Sequence, residues 1–464
     1  MKEDAKILWR FYSPSDISIV GKTRGDKLIC RTDDHLVAVD LRNGLPVWRK
    51  QLDLVHEDNG KGPSISVVSD IITVGDKTGK SHLLQGETGS HFGMVETGNP
   101  YPQLLSKGTR FYYIVSSDTL ICYNPATKAI AWMFEPIDKG EMKGKATNED
   151  DWVTEDGLPL PYYERPRPSR NSPSHVEWVE YDKIEEFEGS RLVLAYIEWS
   201  MVWWYEADGS LSRANVPLPR LAVLEATTGS RIANLDAYAW PGETSKWQKI
   251  DNSHIILPEK FGRMSCVNVF TQERRWSYTH HCSENVCGAR GLFGNEFATE
   301  TRIHNGKAVC VFDGQEIVVL NGEMGILERA FKPRDFVGVG EILCFQDRST
   351  DILVNYKRMP DMKDYGVLSA YDLKRGGMLW EMELDEFSQL YFSAGQLLLV
   401  KMGRFDGDDS PKTWQALILD PSAGAIQASH RFERTIGNIQ FYEGTLLYTH
   451  SIDGGQTAIE ALRV

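Results

Sequence analysis

Three groups of residues in this chain could do chemistry. The first is the run Glu198-Trp199-Ser200-Met201-Val202-Trp203-Trp204-Tyr205-Glu206. So many aromatic side chains exceed what one strand end needs. At the rim of a funnel they can stack on a planar or apolar ligand, or anchor a partner chain. Trp199, Met201 and Trp203 share one side of an extended strand, so packing between sheets cannot also account for Trp204 and Tyr205. The second group is His280-His281-Cys282 with Cys287. Imidazoles and thiolates bind zinc, yet no paired C-x-x-C couple is present. Adjacent histidines also point different ways in an extended chain. A Cys beside a His could form a thiolate nucleophile, but no third, orienting partner is located. A strand end followed by a loop is the preferred reading, with no metal, and His280 and His281 stay as binding candidates. The third group is polar: His175, Glu177, Glu180, Gln248, Lys249, Glu300, Arg302, Gln346 and Asp347. Carboxylates near an arginine could support acid–base work. Asp406-Gly407-Asp408-Asp409 lacks the rest of a calcium loop and reads as an exposed acidic turn. No Gly-x-Ser-x-Gly, P-loop or dinucleotide fingerprint occurs.

The elements that would hold these groups follow from a repeat of about 45 residues. Its clearest copies are Ala38-Val39-Asp40-Leu41-Arg42-Asn43-Gly44-Leu45-Pro46-Val47-Trp48 and Ala370-Tyr371-Asp372-Leu373-Lys374-Arg375-Gly376-Gly377-Met378-Leu379-Trp380. Weaker copies fall at Gln85…Gly89, Asn124…Lys128…Trp132, Glu225…Gly229, Asn268…Gln272…Trp276, Asn321…Gly325 and Asp420…Gly424. The acid or amide can accept hydrogen bonds from the turn's backbone N–H groups. Glycine tolerates the positive φ of a tight hairpin, and the tryptophan offers a flat surface to the next sheet. One such sheet cannot bury both faces, so the units must stack, and a ring removes the open ends.

This pattern predicts an all-β fold: a single β-propeller of four-stranded blades spanning 1–464, with no long amphipathic helix. The last strand, Ala458–Val464, has no successor, and Ile7-Leu8-Trp9-Arg10-Phe11-Tyr12 reads as the missing outer strand. The N-terminal strand then completes the C-terminal blade and closes the ring. Counting the shared unit gives nine, while propellers usually stop at about eight. We expect eight, with nine open; the second unit, with short strands, or the interrupted fourth would not be a true blade.

The Ala-x-Asp-x-x-x-Gly-x-x-x-Trp spacing resembles the repeat of the pyrroloquinoline-quinone-type propellers, the quinoprotein alcohol dehydrogenase-like superfamily. The resemblance covers nearly the whole chain as weak repeats and implies the propeller fold. Quinone-dependent members typically carry adjacent cysteines near the cofactor, and no Cys-Cys occurs here. They usually enter the periplasm, whereas Met1-Lys2-Glu3-Asp4-Ala5-Lys6 has no apolar core of signal-peptide length. The resemblance thus implies a member without the quinone, a group that includes assembly scaffolds and adaptor-like proteins. No cofactor is expected.

Net charge is −14 across 464 residues. An acidic surface is repelled by phosphate backbones, so no nucleic-acid partner is expected. No stretch is long and apolar enough to span a bilayer as a helix. The seven cysteines, mostly within strand patterns, read as reduced and cytosolic. A cytoplasmic monomer is the expectation.

Loop length divides the two faces. The turns within blade hairpins on one face are short. Length variation gathers on the other, at Pro136–His175, Ser200–Pro219, His280–Ala298, Met359–Val367 and Gly403–Thr413. A rigid frame that grows loops on one side is suited to carry a site. The largest insert, 136–175, is rich in Pro and charge and contains Tyr162 and Tyr163, as a lid, an arm for a partner or a plain surface loop.

Two functions remain. The preferred one is a binding module that recognises a protein or peptide, or an apolar small molecule, through the loop-rich face. The alternative is a cofactor-independent enzyme of cyclase, isomerase or hydrolase type, with its pocket in the aromatic-lined funnel. Catalysis by proximity leaves almost no motif. Candidate binding residues are Tyr162, Tyr163, His175, Glu177, Trp199, Trp203, Trp204, Tyr205, His280, His281, Glu300 and Arg302.

Overall fold

The computed structural model describes residues 6–33, 35–52, 65–76, 78–96, 103–116, 118–136, 175–188, 190–205, 211–235, 247–259, 263–280, 298–312, 316–332, 341–347, 350–358, 366–384, 387–393, 395–402, 414–432, 436–452 and 456–463; for 103, 175–177, 200–205, 211–219, 298–300, 341, 358, 387 and 402 it gives the backbone course. These residues form nine separate four-stranded antiparallel sheets, and no helix occurs among them. Eight sheets are consecutive stretches of chain, at 18–51, 65–96, 103–134, 175–234, 248–279, 298–331, 341–384 and 387–432, hereafter blades 1 to 8. Within each, strands follow one another from the innermost outward.

The ninth blade joins the two ends of the chain. Ile436–Tyr442, Thr445–Ile452 and Gln456–Arg463 supply three strands, and Lys6–Ser13 pairs antiparallel with the last of them. Ile7 lies opposite Leu462, and Trp9 opposite Ala461. The expected closure is therefore present. The expectation of eight blades is corrected to nine: both suspect units are full sheets. In blade 2, Ile65–Val68 is short, but it pairs residue for residue with Ile71–Gly75. In blade 4 the insert interrupts the sequence without interrupting the sheet.

Nine apolar clusters tie the ring together, each drawn from two neighbouring blades. Ile29, Leu36 and Ala38 of blade 1 meet Ile72, Val74 and Leu84 of blade 2. Trp9, Leu447 and Ile459 of blade 9 meet Ile19, Leu28 and Val39 of blade 1. The middle strands are buried on both faces and read as unbroken apolar runs; Leu397–Val400 is fully buried. Each sheet gains its stability from its neighbours, and only a closed circuit leaves none with a bare face.

The repeat residues perform the roles their types imply. The Asp372 Oδ1 accepts the N–H groups of Lys374 and Arg375 at 2.8 and 2.9 Å. Asn321 does the same for Glu323 and Met324, both at 3.0 Å. The tryptophan then docks on the turn of the next blade. Trp9, Trp48, Trp132, Trp276 and Trp380 donate their Nε1–H to the carbonyls of Leu41, Gly86, Ala226, Gly322 and Pro421 at 2.7 to 3.0 Å. Each ring lies flat on the turn glycine. A Cβ on Gly325, whose φ is +69°, would sit 2.4 Å from the Trp276 ring, so both backbone angle and contact demand glycine.

Candidate functional site: the loop-rich face and its tongue

The turns between the first and second and between the third and fourth strands of the blades are short, and the strand ends that flank 137–174, 206–210, 281–297, 359–365 and 403–413 are the opposite ends of those strands. One expected loop is corrected. Ser200–Pro219 is mostly strand: Arg191–Tyr205 and Leu211–Glu225 pair in unbroken register up to Tyr205 opposite Leu211. The inner strand His175–Phe187 accompanies them as far as His175 opposite Met201. Alternating apolar and β-branched residues suit a ladder as well as they suit a loop end, and only pairing separates the two. The result is a tongue, three-stranded as far as Met201 and two-stranded beyond it, whose strands run roughly 30 Å past Tyr196, at about 3.3 Å per residue.

The root of the tongue is fixed by polar contacts. Glu198 is buried and accepts Arg220 Nε at 2.8 Å. Arg231 donates to the Tyr196 hydroxyl at 2.7 Å. Val179 N–H donates to Asp118 Oδ1 of blade 3 at 2.9 Å, and Val179 and Tyr181 join the blade 3–4 core. The opposite face of the same strands carries Trp178 and Trp199. Their rings stack at 5.4 Å with planes 16° apart, and Trp199 Nε1–H donates to Glu180 Oε2 at 3.2 Å. Trp178 is 37% exposed. Trp199 is half-buried beside it, on the face of the strand opposite the core. Trp178 was missed, because the bulge between Val176 and Trp178 sets which residue faces Trp199, and pairing register cannot be read from one strand.

The two edges of the tongue differ. The outermost strand of blade 4, Arg231–Asn234, covers its neighbour only up to Ala222. Beyond that point, among the described residues, Pro217 and Pro219 lie along the uncovered edge. Proline lacks the N–H that a further strand would need, so this edge is blunted against pairing.

The other candidates are dispersed. The His280 ring stacks on Phe312 at 4.5 Å, and its Nε2 lies 3.2 Å from Glu316 Oε2. It therefore packs the seam between blades 5 and 6. Arg302 is exposed on the inner strand of blade 6. It lies close enough to Lys183 of blade 4 to act on it: burial first, then Arg302, pushes the Lys183 ammonium down, while Glu185 and Asp182 oppose the shift. Lys183 Nζ sits 3.9 Å over the Trp247 ring and donates to the Trp247 carbonyl at 2.8 Å. Lys249 donates to the Glu186 carbonyl at 2.7 Å. These lysines latch blade 4 to blade 5 at the channel wall. Gln346 and Asp347 end their strand at the plain face, away from the tongue. For His175, Glu177, Trp203, Trp204, Tyr205 and Glu300 the structure gives strand positions alone; all but Glu300 lie in the tongue. Tyr162, Tyr163, His281, Cys282, Cys287 and the acidic turn 406–409 lie outside the described residues.

Burial raises the thiols of Cys266 and Cys310 to about 12 and pushes those of Cys30 and Cys122 up as well. These thiols are poor nucleophiles. Among the described residues, no three His, Cys, Asp or Glu side chains converge as metal ligands.

The fold is a β-propeller of nine blades. No family model matches the chain, and no curated protein does. Among solved structures it is similar to BamB from Moraxella catarrhalis, at 10% identity over 99% of this chain and 100% of that one, with a TM-score of 0.41. It is similar to the C-terminal WD40 domain of Sif2, at 7% identity over 99% of both chains and a TM-score of 0.46. A third similar structure is the quinohemoprotein alcohol dehydrogenase ADHIIG from Pseudomonas putida HK5, at 10% identity over 99% of this chain and 76% of that one, with a TM-score of 0.44. Likeness of this degree adds nothing to what the sheet topology already shows.

Proposed function

We propose that this propeller is a binding module for a protein or peptide, with the blade 4 tongue as its recognition element. The observation that supports it best is the stacked pair Trp178 and Trp199, held on a projecting sheet whose far face is anchored in the core. Flat aromatic groups on a rigid support are efficient anchors, because little side-chain freedom is lost on contact. A charge of −14 favours a neutral or cationic partner over nucleic acid. The repeat spacing and the tryptophan docking also support kinship with the pyrroloquinoline-quinone-type propellers, as a member working without the quinone. A monomer in a reducing cytoplasm completes the reading.

The test places a photo-crosslinking phenylalanine analogue at position 178 and, as control, at Met133, exposed on blade 3's outer strand. Illumination in the host should give a discrete protein adduct from position 178 alone. Trp199→Ala should abolish it. Equal labelling from both positions would refute the proposal.

A further inference from the structure

A cavity of about 370 Å³ lies on the flank between blades 8 and 9, at the loop-rich ends of their strands. In a chain of net charge −14, it brings together Arg10, Arg431, His430 and His450 against one acid, Glu460. Glu460 is buried and already occupied. It accepts the Tyr448 hydroxyl, Arg10 Nε lies 2.6 Å away, and His450 Nε2 lies 3.1 Å from the same oxygen. The cavity therefore keeps an excess of positive charge. Arg431 is exposed, and its guanidinium has no ion-pair or hydrogen-bond partner among the described residues.

The remaining wall is aromatic and apolar. Phe432 meets Tyr448 edge-on at 4.8 Å and His430 at 4.9 Å, with Ile7, Ile436 and Ile452 around them. We propose that this cavity binds a small organic anion: a carboxylate or phosphate head held by Arg431 and the outer guanidinium edge of Arg10, and a flat apolar body against Phe432 and Tyr448. The volume suits one ring with a short side chain. A cationic recess in an anionic surface concentrates anions by its local field, and arginine matches either head in a forked geometry. Because the N-terminal strand supplies Arg10 and Ile7, the ligand would span the non-covalent closure of the ring and stabilise it by mass action.

The experiment is calorimetric titration of the full chain with four probes: 3-phenylpropionate, phenyl phosphate, 3-phenylpropan-1-ol and 3-phenylpropylamine. One or both anions should bind, and which does so identifies the head group. The alcohol should bind at least about tenfold more weakly, and the amine not detectably. Arg431→Gln should weaken the anion about tenfold without altering the melting temperature. Ile452→Trp, which fills the cavity, should abolish binding of every probe. The assignment fails if no anion saturates below about 10 mM, if alcohol and anion bind alike, or if Arg431→Gln changes nothing.

Discussion

The seam between blades 5 and 6 and the seam between blades 4 and 5 solve one packing problem in two ways. At the first, Trp276 of blade 5 lies on Gly325 of blade 6 and bonds to the Gly322 carbonyl. At the second, the tryptophan position of blade 4 is Ala233, and the turn position of blade 5 is Gln272 at φ +64°. The same exchange occurs between blades 2 and 3. There Gly93 stands at the tryptophan position and Lys128 at the turn, with φ +55°. The ring of Tyr123 reaches back from blade 3 to within 2.4 Å of where a Gly93 Cβ would be. Between blades 8 and 9, Ala428 stands at the tryptophan position, opposite the place where the chain ends meet and no covalent turn exists. Turn glycine is thus kept at each of the five turns on which a tryptophan lies, and also at Gly376, where Arg329 of blade 6 approaches instead. A left-handed φ alone admits other residues at a cost of about 1 kcal/mol; an indole ring at van der Waals distance admits none.

The sharpest way to break this comparison is to remove an indole. Trp276→Ala should cost about 3–5 kcal/mol by chemical denaturation, whereas Arg329→Ala, at the corresponding position of blade 6, should cost about 1 kcal/mol or less. Next in size, Gly325→Ala should cost about 2–4 kcal/mol, from strain and clash together. Gln272→Ala, under no tryptophan, should stay within about 1 kcal/mol; equal losses at both turns would show that docking does not select glycine.

The non-covalent seam gives a third test. Burial alone would raise the Glu460 carboxyl, but the Tyr448 hydrogen bond and the charges of His450 and Arg10 outweigh it and hold the pKa below its ordinary value. A lowered carboxyl stabilises the fold fully above the unfolded glutamate pKa, and the contribution is lost as pH falls through the folded one. Glu460→Gln should therefore cost about 1–3 kcal/mol near neutrality, and the gap to the native chain should close in acid below about pH 4. A gap independent of pH would remove the ion pair from the closure. The smallest effect is expected in the tongue. Trp178→Ala should change stability by less than about 1 kcal/mol, because Trp178 is exposed and joins none of the core clusters. A large loss of stability would return Trp178 to a packing role.

Much of this molecule was legible in its sequence. The spacing from Ala38 through Asp40 and Gly44 to Trp48 announced strand, turn and docking surface. Each step is local: a carboxylate reaches N–H groups two and three residues on, and a glycine adopts its own φ. The unfinished C-terminal unit and the spare strand at Trp9 implied closure for the same reason. The units themselves counted to nine; the expectation of eight came from the usual size of propellers, because how many sheets close a ring is a sum of small inter-blade angles that no segment encodes alone. The tongue was not legible. A bulge at Val176 and Trp178 decides that Trp178 faces Trp199, and that His280 meets Phe312 and Glu316 instead of a ligand is a matter of which blades are neighbours. Local chemistry fixed the unit. Which groups meet across units, and hence the stacked indoles and the cationic recess at the closure, was decided by register and ring geometry, where contacts join residues as distant in sequence as Arg10 and Glu460.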